Sequence, residues 1–161
     1  MMLIDTPLLI TGSGPAALII AKLASGRGLS SLIVGHYSSQ DETAVLLPKG
    51  VVNILSPHGL FDVLRPYLLS HDPVRISRAA FEQVLKHHCV ADMNTTVYDN
   101  FSFTPIRNDI EARRSGTISD GTSSWDINAD AWIDTAKISA DLETAISSSD
   151  KIVTDLLTKL T

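Results

Sequence analysis

The stretch LLITGSGPAALIIAKLASGRGLSSLIV, Leu8 to Val34, constrains the fold more than any other part of the chain. Leu8 to Thr11 is a run of large apolar side chains that ends at glycine, the mark of a buried strand. Pro15 follows at the first helical position, where its fixed φ suits a helix and its missing N–H removes nothing. The helix carries Leu18, Ile19, Ala21, Lys22, Leu23 and Ala24 to about Ser25, and Gly26 and Gly28 stop it, as left-handed caps do. Leu32, Ile33 and Val34 form a second buried strand. A strand, helix and strand over about 30 residues predict a right-handed parallel crossover.

The turn inside that crossover has a chemistry. A pyrophosphate needs backbone N–H donors at close range. Gly12 permits the tight turn, Gly14 lets the backbone come near, and the helix starting at Pro15 aims its positive dipole end at the anion. Ala17 stands at the third fingerprint position, which accepts Gly or Ala because only helix-to-strand packing is at stake. Gly12, Ser13, Gly14, Pro15, Ala16 and Ala17 are therefore the candidate phosphate cradle. Ser13 either donates its hydroxyl to a phosphate or is the variable residue of the turn.

The rest of the chain fits one α/β domain. Its 161 residues are 44% apolar and 19% charged, a globular balance. The net charge of −5, with basic residues scattered except at Arg113-Arg114, argues against nucleic acid as a partner. One cysteine, Cys89, excludes an internal disulfide and fits a reducing compartment. No apolar run approaches the ~18 residues of a membrane span, and the N-terminus lacks a secretory signal, so the expected location is cytoplasmic.

Downstream, helical patches are expected at Gly50 to Leu55 and Leu60 to Leu69, broken by Ser56-Pro57-His58-Gly59 and by Pro66, and a better helix at Ser77 to His88 with Ala80, Phe81, Val84 and Leu85 on one stripe. Val97 to Phe103 reads as a third sheet strand. Asp120-Gly121 predicts a hairpin between two short strands, and Ala131 to Ile133 a strand returning to the main sheet. From Lys137 on, two helices are expected, with Ser139 and Asp150 as N-caps and Ser147-Ser148-Ser149 as the joint between them.

Other residues carry weaker signals. His87-His88-Cys89 has metal-ligand chemistry, but adjacent histidines at a helix end point apart and no second ligand pair stands at a recognisable spacing. The expectation is no metal. His58, in a Pro-Gly loop, has no identifiable catalytic partner. Arg78 either contacts a cofactor or pairs with Glu82 at i+4. Trp125 and Trp132 read as hairpin and strand packing.

Three segments resemble one family. LLITGSGPAALIIAKLASGRG is similar to the N-terminus of two-dinucleotide-domain flavoproteins, with their Gly-x-Gly-Pro-Ala-Gly turn. RISRAAFEQVLKHH (Arg75 to His88) resembles the Arg-x-x-Phe-x-x-x-Leu helix of aromatic-ring monooxygenases, halogenases and lycopene cyclase-like enzymes. ISDGTSSWDINADAWIDTA (Ile118 to Ala136) resembles their Asp-Gly, Ala-Asp and apolar-strand signature. The resemblance implies a Rossmann-like FAD/NAD(P)-binding fold with a parallel sheet, an antiparallel β connection and C-terminal helices. It implies FAD as cofactor, with pyrophosphate on Gly12 to Ala17, adenine near Gly35 and His36, and Arg78 near the cofactor.

The sequence also departs from the family. The family's ribose-binding Glu falls on Gly35, followed by His36, which lacks the two-oxygen geometry of a carboxylate. Thr135-Ala136 runs into Lys137-Ile138 instead of a glycine turn, and the family's later Gly-Asp motif and substrate sheet would lie past Thr161. The expectation is a dinucleotide-binding domain over residues 1–136, incomplete relative to the family, and a helical segment over 137–161. The implied function is a partial or accessory flavoprotein working with a partner chain that completes or covers it. If active, it is a flavin-dependent oxidoreductase or monooxygenase. The alternative is a non-catalytic subunit that keeps the fold without FAD.

Overall fold

The computed structural model describes residues 3–37, 40–106, 114–137 and 142–160. β1 (Leu3–Thr11), α1 (Pro15–Gly26) and β2 (Ser31–Gly35) form the expected crossover. The two strands are parallel, with Leu8 opposite Ser31 and Thr11 opposite Val34. Gly28, at φ 81°, ends α1: its amide donates to the Ser25 carbonyl at 2.9 Å, and the Leu29 amide donates to the Ala24 carbonyl at 3.0 Å. That pair of bonds satisfies two carbonyls the helix end would leave open. Gly26 is the last helical residue and takes no part in the turn-off.

A small lobe follows. β3 (Ala44–Leu46), β4 (Leu68–His71) and β5 (Val74–Ser77) make a three-stranded antiparallel sheet in the order β3-β5-β4. Between β3 and β4 lie α2 (Lys49–Leu55), a 3-10 turn at Ser56–His58, α3 (Leu60–Leu64) and a second 3-10 turn at Arg65–Tyr67. The second helical patch breaks at Pro66 as expected: α3 stops at Leu64, Pro66 lacks an amide, and Leu68 pairs with Ile76 in the sheet. α4 (Arg78–Val90) starts at Ser77, whose hydroxyl accepts from the Ala80 amide at 3.1 Å.

The chain then completes the main sheet with β6 (Thr95–Asp99), β7 (Ser102–Pro105), β8 (Arg114–Ser119) and β9 (Ser124–Asp134). The order is β6-β2-β1-β9-β8-β7, parallel from β6 to β9 and antiparallel from β9 to β7. The single strand expected over Val97 to Phe103 is two strands at opposite edges. Asn100, at φ 66°, breaks it and donates its amide to the Gly35 carbonyl at 2.7 Å. The Asp120-Gly121 hairpin forms as expected, with the Asp120 carboxylate accepting from the Thr122 and Ser123 amides. β9 is longer than expected: one strand both closes the hairpin and runs beside β1 from Leu3 to Thr11.

The C-terminal segment is one helix, α5 (Leu142–Leu160), where two were expected. Ser139 lies outside the described residues. Asp150 is not a cap but an interior residue, accepting from Arg27 at 3.0 Å. The serine triplet does not break the helix because Ser149 returns its hydroxyl to the Ala145 carbonyl at 2.8 Å. Ala145, Ile146, Val153 and Leu156 are buried, and the last three share a core with Leu18, Ile19 and Ala24 of α1. Among the described residues, no helix is long and apolar enough to cross a membrane.

Asp92 fastens α1 to the turn before β6. It accepts from Lys22 at 2.7 Å, Ser25 at 2.9 Å and the Asn94 amide at 2.9 Å. Burial pushes its carboxyl up, but these hydrogen bonds outweigh it and bring it down to about 2. The folded value is below the unfolded one, so this contribution is complete above pH ~4 and disappears as pH falls towards 2. Asp92→Asn is expected to cost about 1–2 kcal/mol at neutral pH. Urea melts from pH 5 down to pH 2 should show the variant losing less stability than the wild type. Equal slopes would remove Asp92 from the account.

Candidate functional site

The glycine turn sits where β1 gives way to α1. Gly12, at φ 136°, packs against Thr135: a Cβ there would lie 1.8 Å from the Thr135 hydroxyl oxygen. Thr135 is itself fixed, donating from both its hydroxyl and its amide to the Thr11 carbonyl at 2.9 Å. Gly14 is the N-cap of α1, at φ 98°, and a Cβ on it would meet nothing within 4 Å. The first turn of α1 has Pro15 in place, no side-chain cap and no acidic residue. The amides of Ala16 and Ala17 thus belong to the helix end that has no intrahelical acceptors. Ala17 is fully buried and Ser13 is exposed.

Beneath the turn lies a network that the sequence did not announce. Past β2 the chain exposes His36 and buries Tyr37 completely. The Tyr37 hydroxyl donates to the Gly12 carbonyl at 2.6 Å, while the Gly12 amide donates to the Val34 carbonyl at 3.1 Å. The Tyr37 amide donates to Asp99 at 2.8 Å, Lys86 donates to the other Asp99 oxygen at 2.6 Å, and Gln83 donates to the Tyr37 carbonyl at 2.8 Å. Burial pushes the Tyr37 phenol well above its ordinary value, so it stays a protonated donor. The turn is thereby drawn onto the end of β2.

That closeness leaves Gly35 no room for a side chain. A Cβ on Gly35 would lie 1.9 Å from the Gly12 carbonyl oxygen and 2.7 Å from the Tyr37 hydroxyl. The direction in which a side chain would leave the end of β2 is filled by the backbone of the glycine turn.

Gly12, Ser13, Gly35 and His36 line one cleft of about 360 Å³, at the carboxyl ends of β1, β2 and β9. Its far wall is aromatic, with Phe101, Phe103 and Trp132, and Lys137 closes one side. Phe103 meets Trp132 edge-on at 5.1 Å, and the Lys137 ammonium stands 5.5 Å over the Trp132 ring. Trp132 is more than strand packing, because its indole N–H donates to the Thr11 hydroxyl at 2.8 Å. Tyr37, Thr135 and Lys137 were missed. The one available signal was an aromatic residue two positions past an apolar strand end.

The other candidates lie elsewhere. Arg78 is exposed at the start of α4, and its amide donates to the Thr43 carbonyl. Hydrogen bonds from Thr43, with the Arg78 charge contributing less, hold the Asp41 carboxyl below its ordinary range. Arg78 does not line the glycine-turn cleft. Cys89 is buried and directs its thiol to the Leu18 carbonyl at 3.3 Å, and burial pushes it up to about 12. His58 is exposed in its 3-10 turn.

No protein-family model matches the chain, and no curated protein does. Solved structures do. The flavin-dependent monooxygenase PieE, solved with FAD and substrate, is 17% identical with a TM-score of 0.68, over 80% of this chain and 30% of its own. The p-nitrophenol 4-monooxygenase PnpA from Pseudomonas putida is 15% identical with a TM-score of 0.63, over 83% of this chain and 41% of its own. A flavoprotein/dehydrogenase from Cytophaga hutchinsonii is 19% identical with a TM-score of 0.63, over 83% of this chain and 39% of its own. These likenesses establish the fold: a mixed, mostly parallel sheet with helices, as in FAD-dependent monooxygenases. The chain spans well under half the length of each.

Proposed function

We propose that this chain is a partial flavoprotein of the FAD-dependent oxidoreductase type, holding the FAD pyrophosphate on Gly12 to Ala17 and working with a partner chain. The observation that carries this reading is the start of α1. It combines a left-handed Gly14 with open space around it, no side-chain cap and no acidic residue in the first turn. A diphosphate fits that end. The ribose end fits less well, since Gly35 has no side chain and no room for one. Bound FAD would supply the redox chemistry of its ring; this chain's own residues bind and orient the phosphates.

In this reading residues 1–136 form the dinucleotide-binding part and 137–161 a helical cover. Tyr67 and Leu69 on the small lobe, 53% and 61% exposed, support a surface that a partner chain covers. The unreactive, buried thiol of Cys89 accords with a cytoplasmic setting.

Losing a charge-assisted pair to the ribose costs roughly 1.5–3 kcal/mol, or about 10–100-fold in affinity. FAD is therefore expected to bind more weakly, by about that 10–100-fold, than it would with the carboxylate in place. At 1 mM it should raise Tm by a few degrees, and Gly14→Asp, which puts a carboxylate on the helix end, should abolish that rise. Unchanged flavin fluorescence and an unchanged Tm at 1 mM FAD would end this reading. They would favour the second, a non-catalytic subunit that keeps the fold, for which the packing of Gly12 on Gly35 is the specific support.

A further inference from the structure

The two peptide units on either side of Gly12 carry two carbonyls and two amides between them. The Thr11 carbonyl accepts from the hydroxyl and the amide of Thr135, both at 2.9 Å. The Gly12 amide donates to the Val34 carbonyl at 3.1 Å, and the Gly12 carbonyl accepts from the Tyr37 hydroxyl at 2.6 Å. The remaining group, the Ser13 amide, has no acceptor among the described residues. Ser13 is exposed and lines the glycine-turn cleft, whereas Tyr37 is fully buried.

A peptide unit is planar and trans, so its C=O and N–H point in opposite directions. A Gly12 carbonyl turned inward onto a buried phenol therefore turns the Ser13 amide outward, to the cleft side. Gly12 does not decide this by itself. Without a Cβ, and at φ 136°, it tolerates either orientation of the peptide that follows. In the reverse orientation the carbonyl oxygen would face the cleft and present its negative end to an anion. The Tyr37 hydrogen bond selects between the two. Tyr37 is itself held: its amide donates to Asp99 at 2.8 Å, and its carbonyl accepts from Gln83 at 2.8 Å.

We infer that Tyr37 is a positioning residue for anion binding, its hydroxyl holding the Gly12–Ser13 peptide so that the Ser13 amide donates to a phosphate oxygen. This rests on the diphosphate reading, and adds to it a donor outside α1 and the side chain that aims that donor. An ionised phosphate oxygen makes such a hydrogen bond short and strong.

The test titrates FAD into the full chain, followed by flavin fluorescence and by the amide shifts of residues 12–17. In the wild type the Ser13 amide proton should move downfield as FAD saturates. Tyr37→Phe should bind FAD about tenfold more weakly, the share of one hydrogen bond to a charged group, and its Ser13 amide should move less. Asp92→Asn is the control for stability alone. It is expected to lose a comparable amount, but Asp92 touches α1 at Lys22 and Ser25, away from the turn. Its FAD affinity and Ser13 shift should match the wild type. Two results would overturn the inference and leave the diphosphate reading standing: Tyr37→Phe binding FAD as tightly as the wild type, or shifts at Ala16 and Ala17 with Ser13 unmoved. Equal weakening in Tyr37→Phe and Asp92→Asn would reduce Tyr37 to a stability effect and overturn it as well. Failure of the wild type to bind FAD would end the reading and this inference together.

Discussion

Gly35→Glu, which places a carboxylate at the end of β2, is expected to cost about 4 kcal/mol and to leave FAD binding no tighter. The reason is contact, not backbone conformation. Gly35 is not among the glycines with positive φ, so another residue could adopt its dihedrals. What it cannot do is place a Cβ 1.9 Å from the Gly12 carbonyl oxygen and 2.9 Å from the Gly12 carbonyl carbon. These are backbone atoms, held by the Gly12–Val34 and Tyr37–Gly12 hydrogen bonds, so no side-chain rotation relieves the clash. A carboxylate would also face the carbonyl oxygen that Tyr37 already caps. In a domain of this size the loss corresponds to a Tm lower by about 8–16 °C. Gly35→Ala separates the two causes: the methyl alone should cost about 2 kcal/mol, and the charge the rest. If Gly35→Glu melted with the wild type, the turn would have to move freely off β2. The lack of room at Gly35 would then no longer follow from packing.

The sequence made the local elements legible wherever one short-range rule decided them. The apolar runs on either side of α1, Pro15 at its start and Gly28 past its end each report a conformation fixed within a few residues, and the crossover formed as expected. The Asp120-Gly121 turn is of the same kind. Failures came where distant backbone decided. Val97 to Phe103, which alternates only weakly, reads as one strand, yet Asn100 turns back to Gly35, and the halves join opposite edges of the sheet. The break at Pro66 was legible, but that Leu68 beyond it joins a sheet depends on β5 as a partner. The serine triplet carries a break signal that α5 overrides, since Ser149 finds an acceptor inside the helix and Ile146 and Val153 find α1. At the candidate site the glycine turn was legible because glycine spacing is local. What lies beneath it was only half legible: the glycine at position 35 was visible, but the Tyr37 latch that fills the space beside it joins residues 25 apart.

Tyr37 is the second position where a large effect is expected. It is fully buried, and its hydroxyl is the donor that holds the Gly12 carbonyl over β2. Tyr37→Ala should cost about 4 kcal/mol, from lost burial and the cavity left behind. Tyr37→Phe keeps the ring and deletes the bond, so about 1–2 kcal/mol is expected, with the half-buried Gly12 carbonyl partly recovered by water. The two variants together apportion the latch between packing and hydrogen bonding in urea melts. The phenol adds a test in pH. Its folded value is raised, chiefly by burial and then by the nearby Cys89, Asp99 and Glu82, so its contribution is complete below the unfolded value near pH ~10 and is lost as pH rises above it. The wild-type urea midpoint should therefore fall between pH 9.5 and 11 by more than that of Tyr37→Phe. Parallel alkaline losses in the two proteins would mean that Tyr37 reaches water, and would leave the turn without its latch.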